Sequence, residues 1–162
     1  MALEGQPGEG LQKDVPMILI APYAQKLVSG KTNPKNYPYW KELIALIDEP
    51  IVQVGVEGEE QLVSDFRKNL PVSELRKLIR ECRTWISCDS FIQHLGWDEE
   101  KKGVVLWGVS DPLIFGHPEN VNLLKSRDFL ADNQFLWWDA TPHTDAPFVS
   151  AEEVILHLKN LS

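Results

Sequence analysis

Short apolar runs alternate with helical patterns along this chain, and the alternation restricts the possible folds more than any other feature. Met17–Ala21 is an apolar run followed by a proline, and Ile51–Gly55 is another that ends on a glycine; both are typical of buried strands. Between them, Pro38 opens a segment whose apolar residues recur at the spacing of one helical face. These residues are Trp40, Leu43, Ile44 and Ile47. The order strand, helix, strand predicts a parallel pairing of the two strands.

The same alternation continues toward the C-terminus. Ser73–Cys82 repeats the helical pattern, and Thr84–Ser87 and Gly103–Trp107 have the composition of further strands. Ser150–Leu161 is predicted to be the last helix, because a serine and a glutamate three residues later have the spacing of a capping box. Strands that alternate with helices predict an α/β fold, a parallel sheet covered by helices on both faces.

Residues 1–16 contain three glycines, two prolines and no apolar stretch. They predict a flexible tail and no signal peptide, ahead of a single domain at residues 17–162. No segment approaches the roughly 20 apolar residues that a membrane helix requires, so no transmembrane segment is predicted. Cys82 and Cys88 match no metal spacing, and without an export signal they predict reduced thiols and a cytoplasmic location.

The charge balance restricts the ligands that the surface is suited to bind. With 16 Lys and Arg against 24 Asp and Glu, the net charge is −8. A strongly acidic surface disfavours binding to the phosphate backbone of a nucleic acid. A small anionic ligand stays possible, because a few local donors are sufficient to hold it. No cofactor and no metal is predicted.

The strongest candidate site follows the strand Thr84–Ser87. Asp89 and Ser90 stand where a helix is predicted to begin, and His94 lies about one turn further on nearly the same face. The first N–H groups of a helix and its dipole favour an anion. The alternative is that Asp89 or Ser90 only caps the helix and His94 is a half-buried helical residue. The neighbouring Cys88 is interpreted as structural, with a thiol activated by the helix terminus as the alternative.

Two other loops that follow strands carry candidate ligands. Lys35 lies in the loop after the first strand, where a lysine is a point-charge ligand for phosphate; a solvated loop lysine is the alternative. Glu59 and Glu60 follow the second strand, where a carboxylate binds the hydroxyls of a ribose, or they begin a solvated helix. No P-loop motif and no G-x-G-x-x-G occurs, which disfavours P-loop enzymes and standard dinucleotide dehydrogenases.

The remaining polar residues predict less. Ser110–Pro112 is predicted to be a turn capped by a side chain. Residues 125–149 have no regular period and are predicted to be an irregular connection held by its aromatic residues, with no role assigned. The sequence indicates no partner for His117 or His143, and no nucleophile with its base is evident. No catalytic residue is therefore predicted.

The order of these loops resembles glycosyltransferase family nine, the ADP-heptose:lipopolysaccharide heptosyltransferases. Asp89-Ser90 followed by His94 corresponds to the family's D-T/S-G-P-x-H signature, and Leu106–Pro112 to its F-G-P-T-D-P. In the family, a lysine stands shortly before an aromatic residue and a proline, as Lys35 does before Tyr37-Pro38. The predicted helix at Ser73–Ile79 also resembles a helix of the family. The likeness runs from about residue 17 to 124, and weakly to the final helix. It implies a single Rossmann-like domain, the C-terminal, donor-binding half of a GT-B fold.

The resemblance implies that the chain binds a nucleotide-sugar donor similar to ADP-heptose. Lys35 would contact the diphosphate, and Ser90 with its backbone N–H would hold a phosphate. Asp89 and His94 would approach the sugar or the diphosphate. Glu59, or alternatively Glu60, would hold the ribose.

This sequence departs from the family in two respects. Phe91-Ile92 replaces the Gly-Pro of the signature, and the resemblance contains no acceptor-binding half. A separate acceptor subunit or a second copy of the chain would then complete the enzyme. The alternative is a non-catalytic module that binds a nucleotide or a nucleotide sugar as a sensor, sponge or scaffold; a structural domain without a ligand is a third.

Overall fold

A computed structural model of the protein, described for residues 16–161, contains one sheet of six parallel strands in the order β3-β2-β1-β4-β5-β6. The strands are β1 Ile18–Ala21, β2 Ile51–Gly55, β3 Phe66–Lys68, β4 Thr84–Cys88, β5 Val104–Trp107 and β6 Val121–Leu124. The helices are α1 Trp40–Leu46, α2 Val72–Glu81, α3 Phe91–Asp98, α4 Pro112–Phe115 and α5 Ala151–Lys159. Apart from Pro16, the predicted tail lies outside the described residues.

Side chains of the central strands alternate between two apolar layers. In β1, Ile18 and Ile20 pack with residues of α1 and α5, whereas Leu19 packs with residues of α2 and α3 on the opposite face. A sheet that is buried on both faces favours apolar residues at most strand positions, which explains why its central strands are mainly apolar in the sequence. The prediction of a parallel sheet with helices on both faces is confirmed.

The predicted elements agree with the structure to within one or two residues for the buried strands. Two edge strands, β3 and β6, were not predicted. Phe66–Lys68 has only three residues, two of them exposed and basic, and Val121–Leu124 is only partly buried. Among the described residues, no helix has the length and the apolar content that would allow it to span a bilayer.

The strand order places a cleft at the centre of the sheet. β1 pairs with β2 on one side and with β4 on the other, so the connections that leave β1 and β4 diverge to opposite faces. In open α/β sheets, ligands bind at such a switch point, beyond the carboxyl ends of the strands. The loops that carry Lys35 and Asp89 therefore meet here.

Residues 125–149 are irregular, as predicted, and contain two single turns of 3₁₀ helix, Arg127–Phe129 and Trp138–Ala140. The prediction that aromatic residues hold this segment is correct only in part. Phe148 is buried in the core, but Trp137 is 78 % exposed. A polar contact also tethers the segment, because the Ser29 backbone N–H donates to the Asp139 carboxylate at 2.9 Å.

Candidate functional site

A cleft of about 870 Å³ opens at the carboxyl edge of the sheet, between the loops that follow β1, β2 and β4. All the candidate site residues favoured in the sequence line this cleft: Lys35, Glu59, Asp89, Ser90 and His94. The alternative ribose ligand, Glu60, does not line it and lies near Lys41 and Tyr23 instead. Three separate chain segments thus contribute to one cavity, as the strand order predicts.

The loop after β1 is folded by its own polar side chains, and this folding directs Lys35 into the cleft. The buried Asn33 accepts from the Lys35 backbone N–H at 3.0 Å and donates to the Gln25 carbonyl at 2.9 Å. At the end of the loop, the buried Tyr37 donates to the Val149 carbonyl at 2.9 Å. Anchored at both positions, the loop holds Lys35 in place without help from a ligand.

The Lys35 ammonium lies between a carboxylate and an aromatic ring. Its Nζ is 3.2 Å from Asp89 Oδ2 and 5.1 Å from the centre of the Trp138 ring. The side chains of Lys35 and Asp89 are only 18 % and 8 % exposed, so solvent screens this pair less than a surface pair. A cation held in this way is suited to bind an anionic group that enters the cleft.

Asp89 is held at both carboxylate oxygens. Its Oδ1 accepts from Gln93 Nε2 at 2.8 Å, and Gln93 is fully buried one turn further along α3. Asp89 does not cap the helix: Ser90 is the N-cap residue, and α3 has no side-chain capping hydrogen bond. The alternative in which Asp89 or Ser90 acts only as a cap therefore lacks its defining contact.

Ser90 presents an unsatisfied hydroxyl at the start of α3. Its Oγ is buried, and no hydrogen-bond partner exists for it among residues 16–161. The first N–H groups of a helix also lack intrahelical acceptors. Because an unpaired buried polar group costs on the order of 1–3 kcal/mol, a ligand oxygen at this position would relieve a penalty that the protein otherwise retains.

Cys88, at the end of β4, is a structural residue. It is completely buried, and this burial, followed by the nearby Asp89 charge, raises the pKa of its thiol to about 12. Burial disfavours the thiolate, so the structure favours the structural interpretation of Cys88 over an activated thiol.

Glu59 closes the loop after β2. Its Oε1 accepts from the Val56 backbone N–H at 3.0 Å. Burial raises the pKa of Glu59, while the hydrogen bond from Val56 and the charge of Lys26 oppose the shift. One carboxylate oxygen is thus engaged in the turn, and the cleft beside it is bordered by the apolar side chains of Val54, Leu70 and Leu75.

Gln93, Trp138 and His117 also shape the site, and the sequence contains a signal only for Gln93. Gln93 stands four residues after Asp89, and this spacing places both on one helical face. Trp138 lies far along the chain from Lys35, and His117 contacts His94 through a nitrogen pair separated by 2.8 Å. Contacts between such distant segments leave no local pattern in the sequence.

No protein-family model and no curated protein matches the chain. Solved structures do match it along nearly all of its length. ADP-heptose lipopolysaccharide heptosyltransferase II of E. coli is 18 % identical, with a TM-score of 0.65 over 99 % of this chain and 52 % of that chain. A glycosyl transferase family 9 protein from Veillonella parvula is 16 % identical, with a TM-score of 0.68 over 96 % of this chain and 48 % of that chain.

A third similar structure is TibC, a dodecameric iron-containing heptosyltransferase determined in complex with ADP-D-beta-D-heptose, and TibC comes from enterotoxigenic E. coli. It is 18 % identical, with a TM-score of 0.58 over 90 % of this chain and 46 % of that chain. The chain therefore spans about half the length of these structures. The resemblance to family nine heptosyltransferases is confirmed at the level of the fold.

Proposed function

We propose that this domain binds a nucleotide-sugar donor similar to ADP-heptose and forms the donor-binding half of a glycosyltransferase. The observation that carries the proposal is the convergence of Lys35, Asp89 and the unsatisfied Ser90 hydroxyl in one cleft at the switch point of the sheet. A cation, an orphaned hydroxyl and a helix N-terminus together are suited to a diphosphate.

The rest of the cleft suits the other parts of such a donor. Val54, Leu70 and Leu75 offer an apolar surface for a nucleobase, and Glu59 beside them would use its second carboxylate oxygen for the ribose hydroxyls. Asp89 and His94 would face the sugar or the diphosphate. The fold similarity to TibC, which was determined with ADP-D-beta-D-heptose, supports this class of ligand.

We further propose that an acceptor-binding domain completes the enzyme at this cleft. The chain spans about half the length of the glycosyltransferase structures that it resembles. The cleft also has an apolar border, since Leu136 and Trp137 line it and are largely exposed. Both cysteines are free, which agrees with the cytoplasmic location that we propose, where thiols are kept reduced.

The competing function is a non-catalytic nucleotide or nucleotide-sugar binding module, and one observation favours it. Phe91, which replaces the glycine of the family signature, is 54 % exposed and lines the cleft at the N-terminus of α3. A ring at this position restricts the approach of phosphate to the backbone. An assay for sugar transfer in the presence of an acceptor domain distinguishes the two functions: the glycosyltransferase half transfers the sugar and the binding module does not.

Calorimetric titration with ADP, UDP, GDP and their sugars tests the binding proposal directly. We expect Lys35→Ala to weaken binding of the preferred nucleotide by about 10- to 100-fold, since loss of a charge-assisted contact costs about 1.5–3 kcal/mol. Lys31→Ala is the matched control, because Lys31 lies on the same loop but does not line the cleft. If the wild-type protein binds no nucleotide even at millimolar concentration, the proposed function is wrong.

A further inference from the structure

Two histidines form a direct pair at the edge of the cleft. His94, in the first half of α3, lies with its Nδ1 2.8 Å from Nε2 of His117, in the loop between α4 and β6. The ring centres are 5.0 Å apart and the rings are nearly perpendicular, at 84°. Only His94 of the two lines the cleft. Its second ring nitrogen, Nε2, is therefore the one available to a ligand.

His117 is itself held in place from behind. Its ring stacks on Trp97 with centres 4.4 Å apart and an interplanar angle of 7°. The Trp97 indole N–H donates to Glu119 at 3.1 Å, which fixes the indole in turn. This arrangement fixes the plane of the His117 ring and directs its Nε2 at Nδ1 of His94.

A single hydrogen bond between two neutral imidazoles has two possible arrangements. If His94 donates, its Nε2 carries a lone pair that faces the cleft. If His117 donates, His94 carries its proton on Nε2 and becomes a hydrogen-bond donor to a ligand. The tautomer of His94 therefore decides whether this wall of the cleft attracts or repels an anion.

The charges around the pair favour donation by His117. Burial and the neighbouring His117 lower the pKa of His94, while Asp89 acts in the opposite direction. His94 is thus mainly neutral near pH 7, and its capacity to donate depends on its tautomer. The negative charge of Asp89, which also lines the cleft, acts on His94 and favours an N–H over a lone pair on the cleft side.

We propose that His117 is a positioning residue that holds His94 in the tautomer with its proton on Nε2, so that His94 donates to the diphosphate or the sugar of the bound donor. The role in binding rests on the proposed function. The tautomer itself belongs to the free protein and does not depend on any ligand.

Long-range proton–nitrogen NMR of the imidazole rings in the full chain tests the tautomer without a ligand. We expect His94 to be protonated on Nε2 in the wild type. In His117→Phe, which preserves the stacking on Trp97 but removes the donor, we expect a mixture of tautomers. In His117→Gln, whose amide N–H replaces the imidazole donor, the Nε2 tautomer should return. A His94 proton on Nδ1 in the wild type, or no change in His117→Phe, would overturn the proposal.

Titration with ADP measures the consequence for binding. We expect His117→Phe to weaken ADP binding about tenfold and His117→Gln to restore it to within about threefold of the wild type. His157→Phe, on the distant helix α5, is the control for replacement of a histidine by phenylalanine and should leave ADP binding unchanged. Equal weakening in His117→Phe and His117→Gln would overturn the positioning role. If the wild-type protein binds neither ADP nor any other nucleotide of the panel, the proposed function fails, while the NMR result still decides the tautomer.

Discussion

The charge of Asp89 is constrained by contacts at both of its carboxylate oxygens. Lys35 lies at one of its oxygens and Gln93 at the other, and 8 % of the side chain is exposed. In the free protein, the carboxylate neutralises a lysine that a diphosphate would otherwise attract. Under the proposed function, a bound diphosphate would compete with Asp89 for Lys35 and would leave the carboxylate to accept from sugar hydroxyls in the same cleft.

Asp89→Asn separates the contact of Asp89 with Lys35 from the proposed contact of Asp89 with the sugar. The amide preserves the size of the side chain and an acceptor for Gln93, so we expect a loss of only about 1–2 kcal/mol of stability. Affinity for the nucleotide sugar should fall relative to affinity for the nucleoside diphosphate alone, because the charged acceptor for the sugar is lost while Lys35 is released for phosphate. Thermal unfolding and calorimetry of both ligands measure the two effects.

Asp65→Asn is the control for this substitution, since Asp65 forms an exposed ion pair with Arg67 away from the cleft. It should leave both affinities unchanged. An unaltered ratio of the two affinities in Asp89→Asn would reduce Asp89 to a structural partner of Lys35 and Gln93, and would remove it from the proposed donor site.

Site residues were predicted best from the sequence where polar side chains directly follow a buried strand. Asp89 and Ser90 were found because they directly follow the predicted strand Thr84–Ser87, whose end lies within one residue of the observed end of β4. His117 was left without a partner, since the contact with His94 requires the loop after α4 to lie beside α3. That proximity is a property of the packed sheet and not of any short segment.

At the scale of the elements, the buried strands were predictable and the edge strands were not. β1, β4 and β5 contact helices on both faces, so nearly every residue is apolar and the run stands out. Phe66–Lys68, at one edge of the sheet, forms backbone hydrogen bonds with β2, while Arg67 and Lys68 stay exposed. Such a strand is defined by hydrogen bonds to its neighbour, which the side-chain pattern does not record.

The packing of α3 on the sheet depends on a close approach to Trp85. This tryptophan is fully buried, and its indole N–H donates to the Lys101 carbonyl at 2.8 Å. A Cβ added at Gly96 would overlap the indole, at 2.5 Å from Nε1. Gly96 thus allows α3 to lie directly against a large ring, which fixes the position of the helix that carries Ser90 and His94.

We expect Gly96→Ala to destabilise the protein by about 1–3 kcal/mol, the usual cost of overpacking a core. Helix propensity alone predicts the opposite sign, because alanine is favoured over glycine by about 1 kcal/mol within a helix. Urea unfolding measures which effect dominates. A gain in stability would show that the indole moves without cost.

Trp85→Phe provides the matched comparison for this contact. The smaller ring removes part of the overlap, so the double variant should lose less stability than the sum of the two single variants. Additive losses would indicate that Gly96 and Trp85 do not interact, and that α3 is positioned by other contacts.

At the scale of the whole molecule, the irregular segment 125–149 was predicted as a connection held by its aromatic residues, with no role assigned to it in the cleft. It crosses the cleft entrance, where Trp138 contacts Lys35 and the Asp139 carboxylate holds the loop after β1. Phe135 contacts Phe115, yet it is largely exposed, as is Trp137. Apolar side chains exposed beside a cleft are typical of a surface that contacts another domain or a ligand.

The last prediction concerns activity. A cleft that holds only the donor leaves the acceptor hydroxyl unoriented, and orientation contributes up to about 7–11 kcal/mol of the barrier reduction in a two-substrate reaction. We therefore expect the purified 162-residue chain to bind a nucleotide sugar but to transfer no sugar to a soluble acceptor, with slow hydrolysis of the donor at most. Product analysis of the sugar and of the released nucleoside diphosphate separates transfer from hydrolysis.

Lys35→Ala is the control in that assay, because any hydrolysis that occurs in the cleft should fall with donor affinity, whereas hydrolysis by a contaminant should not. Mixing with an acceptor-binding domain should produce transfer if the donor-binding half is catalytically competent. Transfer to a simple acceptor by the chain alone, at a rate comparable to that of a complete two-domain enzyme, would contradict the need for a partner. It would require the cleft between the loops after β1 and β4 to orient both substrates.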